Sequence, residues 1–150
     1  NIHTCAELLR RDAEKVKVLE MAHIEDVVVG DEYLGNLIAH ATHVYGLIRV
    51  MDELLTANHG NEFYKIPVRP ELIGKTFAEA LVEYKRDCDG ILLAVETKTM
   101  PRWDGYEEGH VPEHNDVRYY FTNPPPDYIL QAEDKVFIIS ERCEQPEVVD

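Results

Sequence analysis

Along residues 32–57, apolar side chains recur at intervals of three and four: Leu34, Leu37, Ile38, Ala41, Val44, Tyr45, Ile48, Met51 and Leu55. That spacing lays one stripe along a long helix, with Asp31 as its N-cap and Asn58-His59-Gly60 as its stop. Tyr33, Leu47, Val50 and Leu54 widen the stripe beyond what a single packing partner covers. Gly35 and Gly46 interrupt it, and each costs about 1 kcal/mol against Ala inside a helix, which predicts a close contact or a bend at these points. Upstream the pattern reads strand, helix, strand. A short β-compatible run covers residues 2–8. Asp12-Ala13-Glu14 then opens a helix with Val16, Leu19 and Met21 on its apolar side, and Asp26–Val29 is a short buried strand ended by Gly30. This is the expected last β-α-β turn of a parallel sheet whose earlier strands lie elsewhere.

Residues 62–150 read as a second α/β unit. Residues 63–68 form a strand closed by Pro67 and Pro70. Thr76 and Glu79 stand at capping-box spacing, where each side chain satisfies an amide at the helix start, and the helix runs to about residue 86. Residues 87–90 turn the chain into strands at 91–96, 117–121 and 135–140, and Asn123-Pro124-Pro125-Pro126 breaks any regular element. Residues 99–116 are too long for a tight hairpin.

Charge narrows the function classes. The chain has 150 residues with 29 acids against 15 bases, a net charge of −14. That balance argues against nucleic acid and against an anionic membrane surface as partners, and it leaves carboxylates available for a cation. No run of about eighteen apolar residues is present, and the N-terminus has neither a signal pattern nor an initiator Met, so the chain reads as a piece of a longer protein. Cys5, Cys88 and Cys143 are odd in number and form no CxxC pair, which fits a reduced compartment.

Candidate chemistry concentrates in the long connection. Asp104, Glu107 and Glu108, with Glu113 and Asp116, supply oxygens of the kind a hard cation takes, though not at EF-hand spacing. His110 and His114 are four apart but separated by Pro112, and His40 and His43 are three apart on the long helix; neither pair has the glutamate that makes HExxH a hydrolase motif. Gly74-Lys75-Thr76 lacks the upstream glycine of a P-loop and reads as a helix cap. Ser140, the only serine, sits on an apolar strand, so no nucleophile with a base and an orienter is visible.

Several segments together resemble the regulator-of-conductance-of-potassium (RCK, or TrkA-C) family. They are Leu72-Ile73-Gly74-Lys75-Thr76-Phe77 before a helix, the strand Gly90-Ile91-Leu92-Leu93-Ala94-Val95-Glu96, and Tyr120-Phe121-Thr122-Asn123-Pro124-Pro125 leading to Gln131-Ala132-Glu133-Asp134-Lys135-Val136-Phe137. Thr4-Cys5-Ala6-Glu7 resembles the end of the family's fifth N-lobe strand. The resemblance implies an α/β fold in three parts: residues 1–30 as the end of a Rossmann-like N-lobe, 31–60 as the crossover and dimerisation helix, and 61–150 as a mixed α/β C-terminal lobe. It implies a regulatory domain rather than an enzyme, on the cytoplasmic side of an inner or plasma membrane, gating potassium flux on ligand binding. Its expected partners are a second copy or a tandem RCK domain in a tetrameric gating ring, and a pore domain in the same or a partner chain. Leu34, Leu37, Ile38, Ala41, Tyr45, Ile48 and Met51 are the expected interface. Calcium is the first expected ligand, with Glu7, Asp104, Glu107 and Glu108 as its acids, and a nucleotide is expected in the full-length protein. The family's glycine-rich nucleotide fingerprint is absent from these residues. Two alternatives stand beside this reading: a metal-dependent hydrolase using the 104–116 loop, and a dimerisation scaffold that binds no ligand.

Overall fold

The computed structural model describes residues 3–56, 60–99 and 118–141. The chain divides into two units, Asn1–Asp52 and Glu53–Asp150.

In the first unit, strand β1 (Cys5–Leu8) pairs in parallel with β2 (Asp26–Val29), with Cys5 opposite Asp26 and Leu8 opposite Val29. Helix α1 (Ala13–Met21) makes the crossover between them, as the pattern predicts. Asp12 caps it by accepting from the amides of Glu14 and Lys15, which satisfies two of the free donors at the helix start. Those bonds, led by the one from Lys15, hold the Asp12 carboxyl below its ordinary range. The strand at 26–29 is less buried than its valines imply: Val29 is buried, Val27 half-buried and Val28 exposed.

The predicted single helix over 32–57 is two helices, α2 (Gly30–His43) and α3 (Leu47–Leu55). The break has a local cause. Val44 is extended at φ −116°, and Gly46 sits at φ +89°, a left-handed conformation that a side chain disfavours. Gly46 therefore marks a bend, one of the two outcomes its position allows. Gly35 stays inside α2 with open space where a Cβ would stand, so no close contact among the described residues explains it. The N-cap of α2 is Val29, without a side-chain bond, rather than Asp31. Asp31 lies in the first turn, where its carboxylate accepts from Arg10 at 3.0 Å. Glu32 beside it takes a two-pronged bond from Arg11 at 2.7 and 2.8 Å. The two arginines tie the loop after β1 to the start of α2.

In the second unit, β3 (Glu62–Pro67), β4 (Ile91–Thr97), β5 (Tyr119–Thr122) and β6 (Lys135–Ser140) form an antiparallel sheet in the order β3-β6-β4-β5. Helix α4 (Phe77–Cys88) covers one face. Phe77, Ala80 and Tyr84 from the helix meet Ile66, Leu92, Val95, Val136 and Ile138 from the strands, with Leu72 and Leu130 closing the core. The capping box forms as its spacing predicts: the Glu79 amide donates to Thr76 Oγ1 at 3.2 Å, and the Thr76 amide donates to Glu79 Oε2 at 2.8 Å. Hydrogen bonds from Thr76 hold the Glu79 carboxyl below its ordinary range. Its contribution to stability is therefore present above the unfolded-state pKa and fades as pH falls through the lower folded value. Thr76→Ala removes the cap and is expected to lower stability by about 1 kcal/mol. In a thermal melt this should appear as a fall of roughly 4–8 °C, and an unchanged melt would show that the cap contributes nothing.

The segment after the 3₁₀ turn Pro70–Leu72 is stitched to the segment after β5. Gly74 N donates to Leu130 O at 2.9 Å, Leu130 N to Lys75 O at 3.0 Å, and Phe77 N to Tyr128 O at 2.7 Å. Gly74 needs φ +81° to make the turn into these bonds. The Asn-Pro-Pro-Pro run thus serves the fold by carrying the chain from the sheet to the start of α4.

Candidate functional site

Glu7, the strand-end acid expected to bind a cation, projects from β1. A Cβ on Gly30 would stand 3.2 Å from Glu7 Oε1, so the carboxylate lies against the first residue of α2. The positive end of a helix macrodipole suits a carboxylate in that position. Glu7 also lines a surface depression of about 380 Å³ together with Leu8, Glu14, Lys15, Val18 and Leu19. Among the described residues no three His, Cys, Asp or Glu side chains gather as a metal site. Asp104, Glu107, Glu108, Glu113, Asp116, His110 and His114 lie outside the described residues. His40 and His43 are both in the last turn of α2 and both exposed.

The expected interface residues separate into two sets. Leu37, Ala41 and Met51 are half-buried in the chain itself. Leu34 at 59%, Ile38 at 55%, Tyr45 at 98% and Ile48 at 40% are exposed. Tyr33, Val44 and Val50 are exposed as well. These large apolar side chains stand exposed on α2, on α3 and in the turn between them. The turn at Val44–Gly46 presents Tyr45, the most exposed of them, and a small pocket behind it is lined by Ala41, Leu47 and Ile48.

In the second unit, the structure brings together charges that the sequence pattern does not single out. Glu96 is 2% exposed. Its Oε1 accepts from Arg118 at 3.1 Å, and its Oε2 is in ion-pair contact with the Lys65 ammonium without hydrogen-bond alignment. The Lys65 ammonium also lies 5.8 Å from the centre of the Tyr120 ring and 5.6 Å from that of Phe137, within cation–π range. One carboxylate on β4 thereby gathers a cation from β3 and another from the residue preceding β5.

Asp134, 1% exposed, is the second buried acid. Its Oδ2 accepts from the Tyr128 hydroxyl at 3.0 Å and from the Gln131 amide at 2.9 Å, closing the turn before β6. Burial pushes the Tyr128 phenol up to about 12 from its ordinary 10, with a hydrogen bond involving Thr97 working the other way and the Asp134 charge adding to the rise. Because the folded value is the higher one, Tyr128 contributes stability that is complete below pH 10 and is lost as pH rises toward about 12. A stability–pH curve should show this loss in the wild-type protein, and Tyr128→Phe should flatten it. The same slope in both proteins would assign the alkaline loss to other groups.

Arg69 is the third such group. Its guanidinium stacks 4.4 Å from the centre of the buried Tyr84 ring and pairs with Asp87 at 2.9 Å, bracing the end of α4 against the loop after β3. Ser140, on β6, donates to the carbonyl of Cys88 at 3.0 Å, a structural bond.

No protein-family model matches the chain, and no curated protein matches it. Solved structures do. The human SLO3 gating ring is similar at a TM-score of 0.62 and 16% identity, over 92% of this chain and 26% of that one. The GsuK channel bound to NAD and the GsuK RCK domain are similar at 22% and 21% identity, over 93% and 91% of this chain and 20% and 23% of theirs, with TM-scores of 0.42 and 0.38. The chain thus spans about a quarter or less of each of these structures. No described helix is long and apolar enough to cross a membrane. Over 92% of its length the chain shares its fold with part of the human SLO3 gating ring.

Proposed function

We propose that this chain is part of the regulatory, ligand-sensing domain of a potassium channel or transporter, that it works on the cytoplasmic side, and that it is not an enzyme. The observation that carries the reading is the shared fold with the human SLO3 gating ring over 92% of the chain. The exposed apolar side chains on α2 and α3 support it, because a domain that assembles with copies of itself or with a tandem partner needs apolar side chains to bury. Assembly through these helices gives ligand binding something to act on: a ligand that binds one arrangement of neighbouring domains more tightly shifts the population toward it, and a connected pore responds. The parallel β1-β2 pair supports membership of a larger N-lobe, since parallel strands normally lie within covered sheets.

For the ligand, the reading keeps calcium, with Glu7, Asp104, Glu107 and Glu108 as its acids. The excess of carboxylates supports a cation. A nucleotide bound elsewhere in the full-length protein is the second reading, favoured by the GsuK channel bound to NAD. Thermal melting of the purified protein with calcium, with magnesium, with NAD and with a chelator separates them. A ligand at a hundredfold its dissociation constant adds about 2.7 kcal/mol, a rise of several degrees. The expected result is a rise with calcium alone that is reduced by Glu7→Gln and by neutralising Asp104, Glu107 and Glu108. A rise with NAD alone would move the site to the nucleotide reading. No rise with any of the three would remove calcium from this chain and leave a nucleotide only to the rest of the full-length protein, with this part serving assembly.

A further inference from the structure

We draw no further inference here: the strongest candidate, the face of the β3-β6-β4-β5 sheet opposite α4, where exposed Phe63 and Tyr120 flank the Lys65–Glu96–Arg118 cluster, carries nothing because no feature of the structure shows what covers it.

Discussion

Asp134→Ala is expected to lower the stability of the protein by about 3 kcal/mol, the larger of two effects on folding and assembly that the structure makes specific. The carboxylate is buried and holds two donors, the Tyr128 hydroxyl and the Gln131 amide. Removing it takes away two hydrogen bonds to a charged acceptor, from half-buried Tyr128 and from the amide of Gln131, and water replaces that acceptor only in part. Asp134→Asn keeps an acceptor oxygen at the same place and should lose well under half as much. Denaturant unfolding of both variants tests the claim. If alanine and asparagine lose equally, the loss comes from packing or charge rather than from the accepted bonds. If neither loses stability, the turn before β6 does not depend on Asp134.

The second large effect concerns assembly. Leu34→Asp combined with Ile38→Asp is expected to weaken self-association, or association with a tandem partner, by at least about a hundredfold. Both side chains are more than half exposed in the chain itself, so the monomer loses little by the change. In an interface the new carboxylates would have to be buried without partners, which is strongly unfavourable. Sedimentation over a range of concentrations reads the outcome, and circular dichroism confirms that the helices remain. Unchanged association would remove α2 as the assembly face. Asn36→Asp, two residues on from Leu34 and so on the opposite side of α2, is the control and should leave association intact.

Much of the fold was legible because its determinants are local. The Thr76–Glu79 box and the Asp12 cap depend on residues within one helical turn, and both form where spacing places them. Gly46 was legible as a point of weakness, but the same residue permits either a close contact or a bend, and only the backbone shows the bend. Asp31 looked like a cap because it precedes an apolar run; the helix instead begins two residues earlier than that cap implies, and Arg10 claims its carboxylate.

The buried acids were not legible. Glu96 follows a strand of apolar residues and looks like the polar end of that strand. It becomes interior because Lys65 and Arg118, from elsewhere in the chain, converge on it across the sheet. Asp134 sits in a run that reads as a solvated turn, yet it is buried and accepts from the Tyr128 hydroxyl six residues before it. Burial of a charge depends on strand order and register, and neither follows from the pattern of any one segment. The family resemblance anticipated the fold, while the cation reading still rests on acids of which only Glu7 lies among the described residues.

The pairing of β3 with β6 has an architectural consequence. Glu62 stands opposite Ser140, so the polypeptide enters and leaves this sheet at adjacent points. A lobe whose two ends meet behaves as a cassette: it can be lifted from one host and spliced into a surface loop of another without stretching either connection, and its ends can be joined and the chain reopened elsewhere. The same arrangement makes the first strand wait for the last before the sheet can close, so this lobe should fold slowly relative to its size.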